Sequence, residues 1–117
     1  ALNIKEYEVT GTSRGKDGKP AAEKPAEDDA LKNAVQKGID ELLGGAKVPE
    51  DKAAEVKKIL GKARRYIPEF RVQDRSEAGA TVILKVKVKV NLDPLKADLT
   101  AAGVLASDEN RDLGIEA

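Results

Sequence analysis

The chain has no cysteine, histidine, methionine or tryptophan, and its 117 residues include only one phenylalanine and two tyrosines. Without histidine and cysteine it cannot form the usual zinc sites, a thiol nucleophile, a Ser-His-Asp triad or a His/Cys haem ligand. A metal site made only of carboxylates, or a catalytic lysine, aspartate or glutamate, is not excluded by composition. We nevertheless expect no enzyme, no metal site and no cofactor, because every usual nucleophile–base pair is missing.

Neither an excess of one charge nor a long hydrophobic run is present. Lysine and arginine together number 21, as do aspartate and glutamate. This balance provides no overall field that would attract nucleic acid or anionic lipid, although it does not exclude a local basic patch. No segment reaches the roughly 18 consecutive apolar residues of a membrane-spanning helix.

The start of the chain also lacks familiar signals. It begins with Ala1 and shows neither an initiating methionine nor a signal-peptide pattern. We therefore expect a trimmed or processed chain, which is consistent with an export signal removed ahead of Ala1. The length predicts one domain over residues 1–104, followed by a polar tail or linker over 105–117.

The clearest pattern lies between Ala80 and Leu92, where every even position is apolar. Lys85, Lys87 and Lys89 occupy odd positions in the same stretch. Because successive side chains point to opposite faces of a strand, this segment predicts a long strand with one apolar and one polar face. A sheet with one apolar face needs one covering layer, which amphipathic helices can supply.

Helical spacing supplies that layer. Residues 28–43 carry apolar side chains at i, i+3, i+4 and i+7, and Gly38 on this stripe predicts a close approach to whatever the helix covers. A second helix is predicted to begin near Pro49, and a short third helix is predicted over 93–103.

The remaining segments predict two shorter strands, over 3–10 and 66–75. Residues 11–27 are rich in glycine, proline and charge, which predicts a mobile loop. Its run 14–20 superficially resembles a phosphate-binding loop, but the spacing is wrong and no helix follows. The predicted order is β-α-α-β-β-α: an α+β domain with an antiparallel sheet of about three strands and two helices on one face.

A row of lysines is the first candidate contact surface. Lys85, Lys87 and Lys89, with Thr81, are predicted to lie on the open face of the sheet. They could dock an acidic protein, a phosphate backbone or anionic lipid, or they form a solvated face that discourages edge pairing. The face lacks aromatic side chains for stacking bases, which argues against a nucleic-acid partner.

A second basic concentration follows the second predicted helix and includes Arg64, Arg65 and Arg71. It offers an anion site, although the helix dipole also explains cations at a helix end. The acidic pairs at 28–29 and 50–51 are interpreted as helix caps, and the pair at 108–109 as part of a solvated tail.

Five segments within residues 3–104 follow a shared pattern of small residues, helix ends and alternating strands. They are Val9-Thr10-Gly11, Asp29 to Val35 with Leu43-Gly44, Arg65 to Val72, Ala80 to Val90, and Leu95 to Gly103. In these segments the chain resembles the N-terminal domain of flagellar assembly protein T and related small bacterial envelope-lipoprotein domains. It departs from that pattern in the loop 11–27 and at Pro68. The resemblance implies an exported or envelope-associated bacterial domain that binds protein partners, and it brings no catalytic motif.

These observations lead us to expect a non-enzymatic interaction or structural module of a bacterial cell-envelope or flagellar-associated assembly. The resemblance implies a periplasmic or outer-membrane-associated location, with membrane association only through a removed lipid anchor. The expected contact surface is the open sheet face and the exposed edge strand, and no small-molecule substrate is evident. The alternative is an anion- or nucleic-acid-binding domain that uses the basic sheet face with Arg64, Arg65 and Arg71.

Overall fold

The computed structural model describes residues 3–16 and 22–105. Within these ranges three strands and three α-helices follow the order β-α-α-β-β-α, so the α+β class and an antiparallel three-stranded sheet are confirmed. The structure contains three helices, whereas the prediction placed two helices on one face of the sheet. The elements are β1 (Ile4–Arg14), α1 (Glu23–Leu43), α2 (Ala53–Gly61), β2 (Glu69–Ala78), β3 (Thr81–Asn91) and α3 (Leu92–Ala101), with 3-10 turns at Glu50–Lys52 and Ala63–Tyr66.

β3 is the central strand and pairs antiparallel with β1 on one side and β2 on the other. Its even-numbered side chains from Val82 to Val90 are at most 1% exposed, which confirms the predicted apolar face. A two-residue turn at Gly79 and Ala80 joins β2 to β3, and Gly79 has a φ of +62°, which favours glycine.

The helix layer that covers the sheet differs from the prediction, because α3 and not α2 lies beside α1. α1 packs across both β1 and β3, and α3 lies beside α1, with Leu95 and Leu99 fully buried. α2 makes its main tertiary contacts with α1. Its buried Val56 and Ile59 therefore extend the core beyond the helix layer rather than cover the sheet directly.

The predicted loop 11–27 is wrong at both of its ends. β1 continues to Arg14, and α1 begins at Glu23 with Pro25 in its first turn, where the missing amide is tolerated. The physical reason is a contact that composition does not reveal: a Cβ built on Gly11 would lie 2.0 Å from the carbonyl oxygen of Ala26. Glycine and alanine thus serve close helix–strand packing here. The phosphate-loop-like run 14–20 lies partly outside the described residues.

The predicted caps of this helix are also wrong. α1 has Ala22 at its N-cap with no side-chain hydrogen bond. Asp28 and Asp29 lie inside the helix, where Asp28 pairs with Arg64 and Asp29 accepts from the backbone of Thr12. Both carboxylates point from α1 toward neighbouring elements, so they connect α1 to those elements and do not cap it. The acidic pair at 108–109 lies outside the described residues, as does the tail 106–117.

The strand predicted over 66–75 is shifted toward the C-terminus. Tyr66 lies in the 3-10 turn and is buried, while β2 begins at Glu69, directly after Pro68. Phe70 and Val72 share the helix-facing side of the sheet, since they pair with Val88 and Val86. α3 begins at Leu92, one residue before the predicted start at 93, and its N-cap Asn91 accepts a hydrogen bond from the amide of Asp93.

Candidate functional site

The sheet face turned away from the helices, named the outer face, collects most of the predicted contact residues. On β3 it carries the lysines of the row together with Thr81 and Ile83, and the register places Arg71 of β2 beside Lys87. No described helix covers this face, since Lys85 and Lys89 are exposed. Its charged members are Glu6, Glu8 and Arg14 on β1, Lys85, Lys87 and Lys89 on β3, and Glu69, Arg71 and Asp74 on β2.

Carboxylates from the neighbouring strands flank the lysine row. Lys89 lies between Glu6 and Glu69, and its Nζ is 2.9 Å from Glu69 Oε2. Lys85 stands opposite Asp74. The outer face is therefore mixed in charge, and the expected basic character is wrong because β1 and β2 bring acids alongside each lysine.

The pair formed by Lys89 and Glu69 shifts the titration of both groups. The hydrogen bond from Lys89, followed by its positive charge, lowers the pKa of Glu69. The same contact raises the pKa of Lys89. Both groups stay charged across the neutral range, so this pair is a fixed feature of the outer face.

Arg71 and Lys87 form an unfavourable pair at the centre of the outer face. They are directly opposite in the β2–β3 register, and neither forms an ion pair with another described residue. Like charges opposite each other destabilise a sheet. A β-bulge at Gln73 follows Arg71, and bulges commonly re-aim side chains near binding sites. A shallow pocket of about 270 Å³ surrounds the pair, lined by Glu6, Glu69, Phe70, Arg71, Gln73, Lys87 and Lys89.

The free edge of β1 is closed by side chains of α1. The amide of Thr12 donates to Asp29 Oδ2 at 2.9 Å, and Asn33 Nδ2 donates to the carbonyl of Thr10 at 2.8 Å. These are backbone groups that a further strand would need. The sheet therefore cannot be extended at this point of β1 without displacing α1.

The free edge of β2 is open by contrast. β2 makes its main contacts with β3 alone, and every residue except Phe70 is exposed, with Val72 at 41%. The amide of Gly15 donates to the carbonyl of Ala80, so even-numbered residues of β3 bond toward β1 and odd-numbered residues toward β2. The backbone groups of Phe70 and Val72 consequently point away from β3 into solvent.

Arg64 and Arg65 do not share the outer face. Arg64 pairs with Asp28 at 2.8 Å and lies 5.7 Å from the ring centre of Phe70, on the helix side of the sheet. Arg65 borders a cleft of about 530 Å³ between α1 and the segment after α2, together with Lys32 and Lys62. The structure thus brings together Thr81, Arg71 and the lysine row, and separates them from Arg64 and Arg65.

Two tyrosine contacts were not foreseen, because their partners are distant in sequence. Tyr66 donates a hydrogen bond to Asp98 of α3 at 2.5 Å, and burial, followed by this carboxylate, raises its pKa to about 12. Tyr7 donates to Glu41, which also binds Lys5, and burial followed by Glu41 raises the pKa of Tyr7 to about 12. Both contacts tie helices to neighbouring elements.

Within residues 3–16 and 22–105, no three acidic side chains are grouped so that they could hold a metal ion. None of the described helices is both long and apolar enough to cross a membrane. Comparison with protein-family models, with curated proteins and with solved structures finds no match to this chain. The resemblance to the flagellar and envelope domains therefore stays a prediction.

Proposed function

We propose that this chain is a non-enzymatic protein-interaction module of a bacterial cell-envelope or flagellar-associated assembly, and that the outer face and the free edge of β2 form its contact surface. The observation that carries the proposal is the exposure of β2. Its neighbour β3 is buried on one face, whereas β2 is exposed along almost its whole length. A strand left in this state is available for pairing with another chain.

Strand addition fits this surface better than a small-molecule site does. An added strand gains main-chain hydrogen bonds at the edge and specificity from alternate side chains. Five of the seven residues that line the pocket on the outer face are charged, whereas small-molecule sites are usually lined mainly by apolar residues. A protein partner can cover both the edge and the adjoining face at once.

The envelope location rests on the sequence resemblance. A full-length gene product with an export signal or a lipidation cysteine ahead of Ala1 would favour a periplasmic or outer-membrane-associated protein. A cytosolic start directly before Ala1 would contradict that part of the proposal and leave the interaction surface unaffected.

Site-specific photocrosslinking tests the contact surface. A photoreactive amino acid at Ser76, on the outer side of β2, should form defined crosslinks in a periplasmic extract. The matched control places it at Lys57, an exposed residue on α2. Crosslinks at Ser76 but not at Lys57 are expected, and equal crosslinking at both, or none at Ser76, would contradict the proposal.

A second candidate function is anion binding in the cleft beside α2. Its observation is that Lys32, Lys62 and Arg65 line this cleft without forming an ion pair among the described residues. The candidate anion site therefore lies on the helix side of the molecule, whereas the sequence placed it on the sheet face. Salt-dependent binding of an oligonucleotide or anionic vesicle, lost in a Lys62→Gln/Arg65→Gln variant, would support it; no binding at about 50 mM salt would exclude it.

A further inference from the structure

We infer that the free edge of β2 from Glu69 to Val72 binds an extended segment of a protein partner in which basic, aliphatic, acidic and aliphatic residues follow one another. This inference rests on the proposed function and specifies the chemistry of the partner. It depends on three features of the same four residues: their backbone direction, their charges and the exposed valine.

The backbone of this segment is ready to pair. Glu69 and Arg71 direct their backbone groups to β3, opposite Lys89 and Lys87. The N–H and C=O groups of Phe70 and Val72 therefore point outward. Contacts from the helix layer reach this strand through side chains, from Glu23 to Arg75 and from Arg64 to the ring of Phe70. An incoming strand can form its ladder hydrogen bonds with these two residues without displacing any part of the fold.

The charges on the outer face select the partner. Arg71 has Lys87 on its β3 side and no ion pair among the described residues. An acidic residue on the added strand opposite Arg71 would give this guanidinium a close carboxylate partner, in addition to the longer-range attraction of Glu69 on its own strand. Charges alternate in sign across the sheet from Glu6 through Lys89 to Glu69, and a basic residue opposite Glu69 would continue this alternation.

The helix-facing side of the same strand selects the intervening residues. Val72 is 41% exposed, and among the described residues the other exposed large hydrophobic side chain is Ile4, at 39%. Aliphatic residues on the partner, between the charged ones, would cover Val72 and remove apolar surface from water. The complementary segment is therefore amphipathic with the period of a strand.

The bulge limits the length of the docked segment. Beyond Gln73 the register shifts, and the carboxylate of Asp74 accepts a hydrogen bond from the amide of Arg75 at 2.9 Å. This contact occupies the next outward amide, so regular pairing ends near Val72. A short segment of the partner, about four residues, is sufficient.

A pair of peptides with opposite charge patterns tests the inference. One is acetyl-Thr-Lys-Val-Glu-Val-Lys-Thr-amide, whose symmetric pattern fits either strand direction, and the other exchanges every lysine for glutamate and the glutamate for lysine. Each is titrated into the isotope-labelled full chain at about 50 mM salt, where surface charges are weakly screened. The first peptide should shift the amide resonances of residues 69–72 and bind at least about threefold more tightly than the second.

Two variants make the result specific. Arg71→Glu should remove the preference between the two peptides, because position 71 then favours the lysine of the second peptide while Glu69 still favours a lysine of the first. Lys57→Glu makes the same change of sign on the exposed surface of α2 and should leave the preference unchanged. Equal binding of both peptides, shifts centred outside β2, or an unchanged preference in Arg71→Glu would overturn the inference.

The outcome is separable from that of the proposed function. Crosslinks at Ser76 together with no peptide preference would reject this charge pattern while supporting an interaction surface. Absence of crosslinks at Ser76 would count against the interaction module itself. Stronger shifts with an oligonucleotide than with either peptide would also reject a protein segment as the occupant of this edge.

Discussion

At the scale of single residues, two glycines set how closely helices approach their neighbours. Gly38 was predicted to allow a close approach, and a Cβ there would lie 3.1 Å from side-chain atoms of Leu92 and Leu95. The requirement for glycine is stricter at Gly11, because a Cβ there would meet backbone atoms of α1. The sequence revealed Gly38 because it sits on a periodic stripe; Gly11 gave no such signal, since its partners Ala26 and Ala30 act only through the fold.

Gly11→Ala should therefore destabilise the protein by about 1–3 kcal/mol or more, because backbone cannot yield as a flexible side chain can. Gly61→Ala is the matched control: nothing lies within 4 Å of a Cβ built there, and alanine favours the helix. Urea unfolding of both variants measures the difference. Similar free energies of unfolding for Gly11→Ala and the parent chain would contradict the close packing described.

The raised pKa of Tyr66 predicts a loss of folding stability at alkaline pH. Its pKa is raised from 10.0 to about 12 by burial and by Asp98, so the folded state holds this proton more tightly than the unfolded state. The resulting stabilisation is fully present below pH 10 and is lost as the pH rises toward 12. Tyr66→Phe should lose less stability over this window than the parent chain, as measured by urea midpoints at several pH values. Parallel pH profiles for the two chains would refute this role.

At the scale of elements, the structure shows which sequence patterns are sufficient to place a helix or a strand. β3 was predictable because its even residues are aliphatic over its full length and one face is buried, so register and orientation follow from alternation. The bounds of β2 and the start of α1 were misplaced, because these ends are set by packing rather than by local pattern. The outer face was misjudged for a related reason: the charges beside each lysine come from other strands.

Relief of the unfavourable pair between β2 and β3 should stabilise the fold. Arg71→Gln removes the repulsion with Lys87 together with a weaker attraction to Glu69, whose main partner is Lys89. We expect the melting temperature to rise by about 1–5 °C at low salt, and the gain to shrink at high salt. Lys89→Gln, which breaks the ion pair with Glu69, should lower the melting temperature slightly or leave it unchanged. A fall in Arg71→Gln would show that Arg71 is not under repulsion.

At the scale of the whole molecule, burial is graded across the sheet. β3 is central and buried on one face, β1 is covered by α1, and β2 has β3 as its main neighbour. The sequence predicted the number of strands and the side that carries the helices, but it could not order the strands. The candidate site depends on that order, because the position of β2 at an edge decides which backbone groups are free.

Hydrogen exchange should reproduce this gradient. Amides of β3 should exchange most slowly, amides of β1 next, and the outward amides of Phe70 and Val72 fastest among the strands, because local opening is easiest where few apolar contacts hold the backbone. Exchange followed by NMR on the isolated chain measures each amide. Slow exchange at Phe70 and Val72 in the absence of any other protein would indicate that this edge is already occupied.

The hydrogen bonds from Thr12 to Asp29 and from Asn33 to Thr10 have a consequence for assembly. A fibril grows only if each subunit receives a strand on one flank and offers another on the opposite flank. Because its own helix is bonded to β1 at Thr10 and Thr12, this molecule is expected to receive a strand at β2 but not to offer that stretch of β1 to a further chain. We therefore expect complexes built through this sheet to stop at a defined stoichiometry, because the side chains that hold α1 against β1 also oppose open-ended strand pairing there.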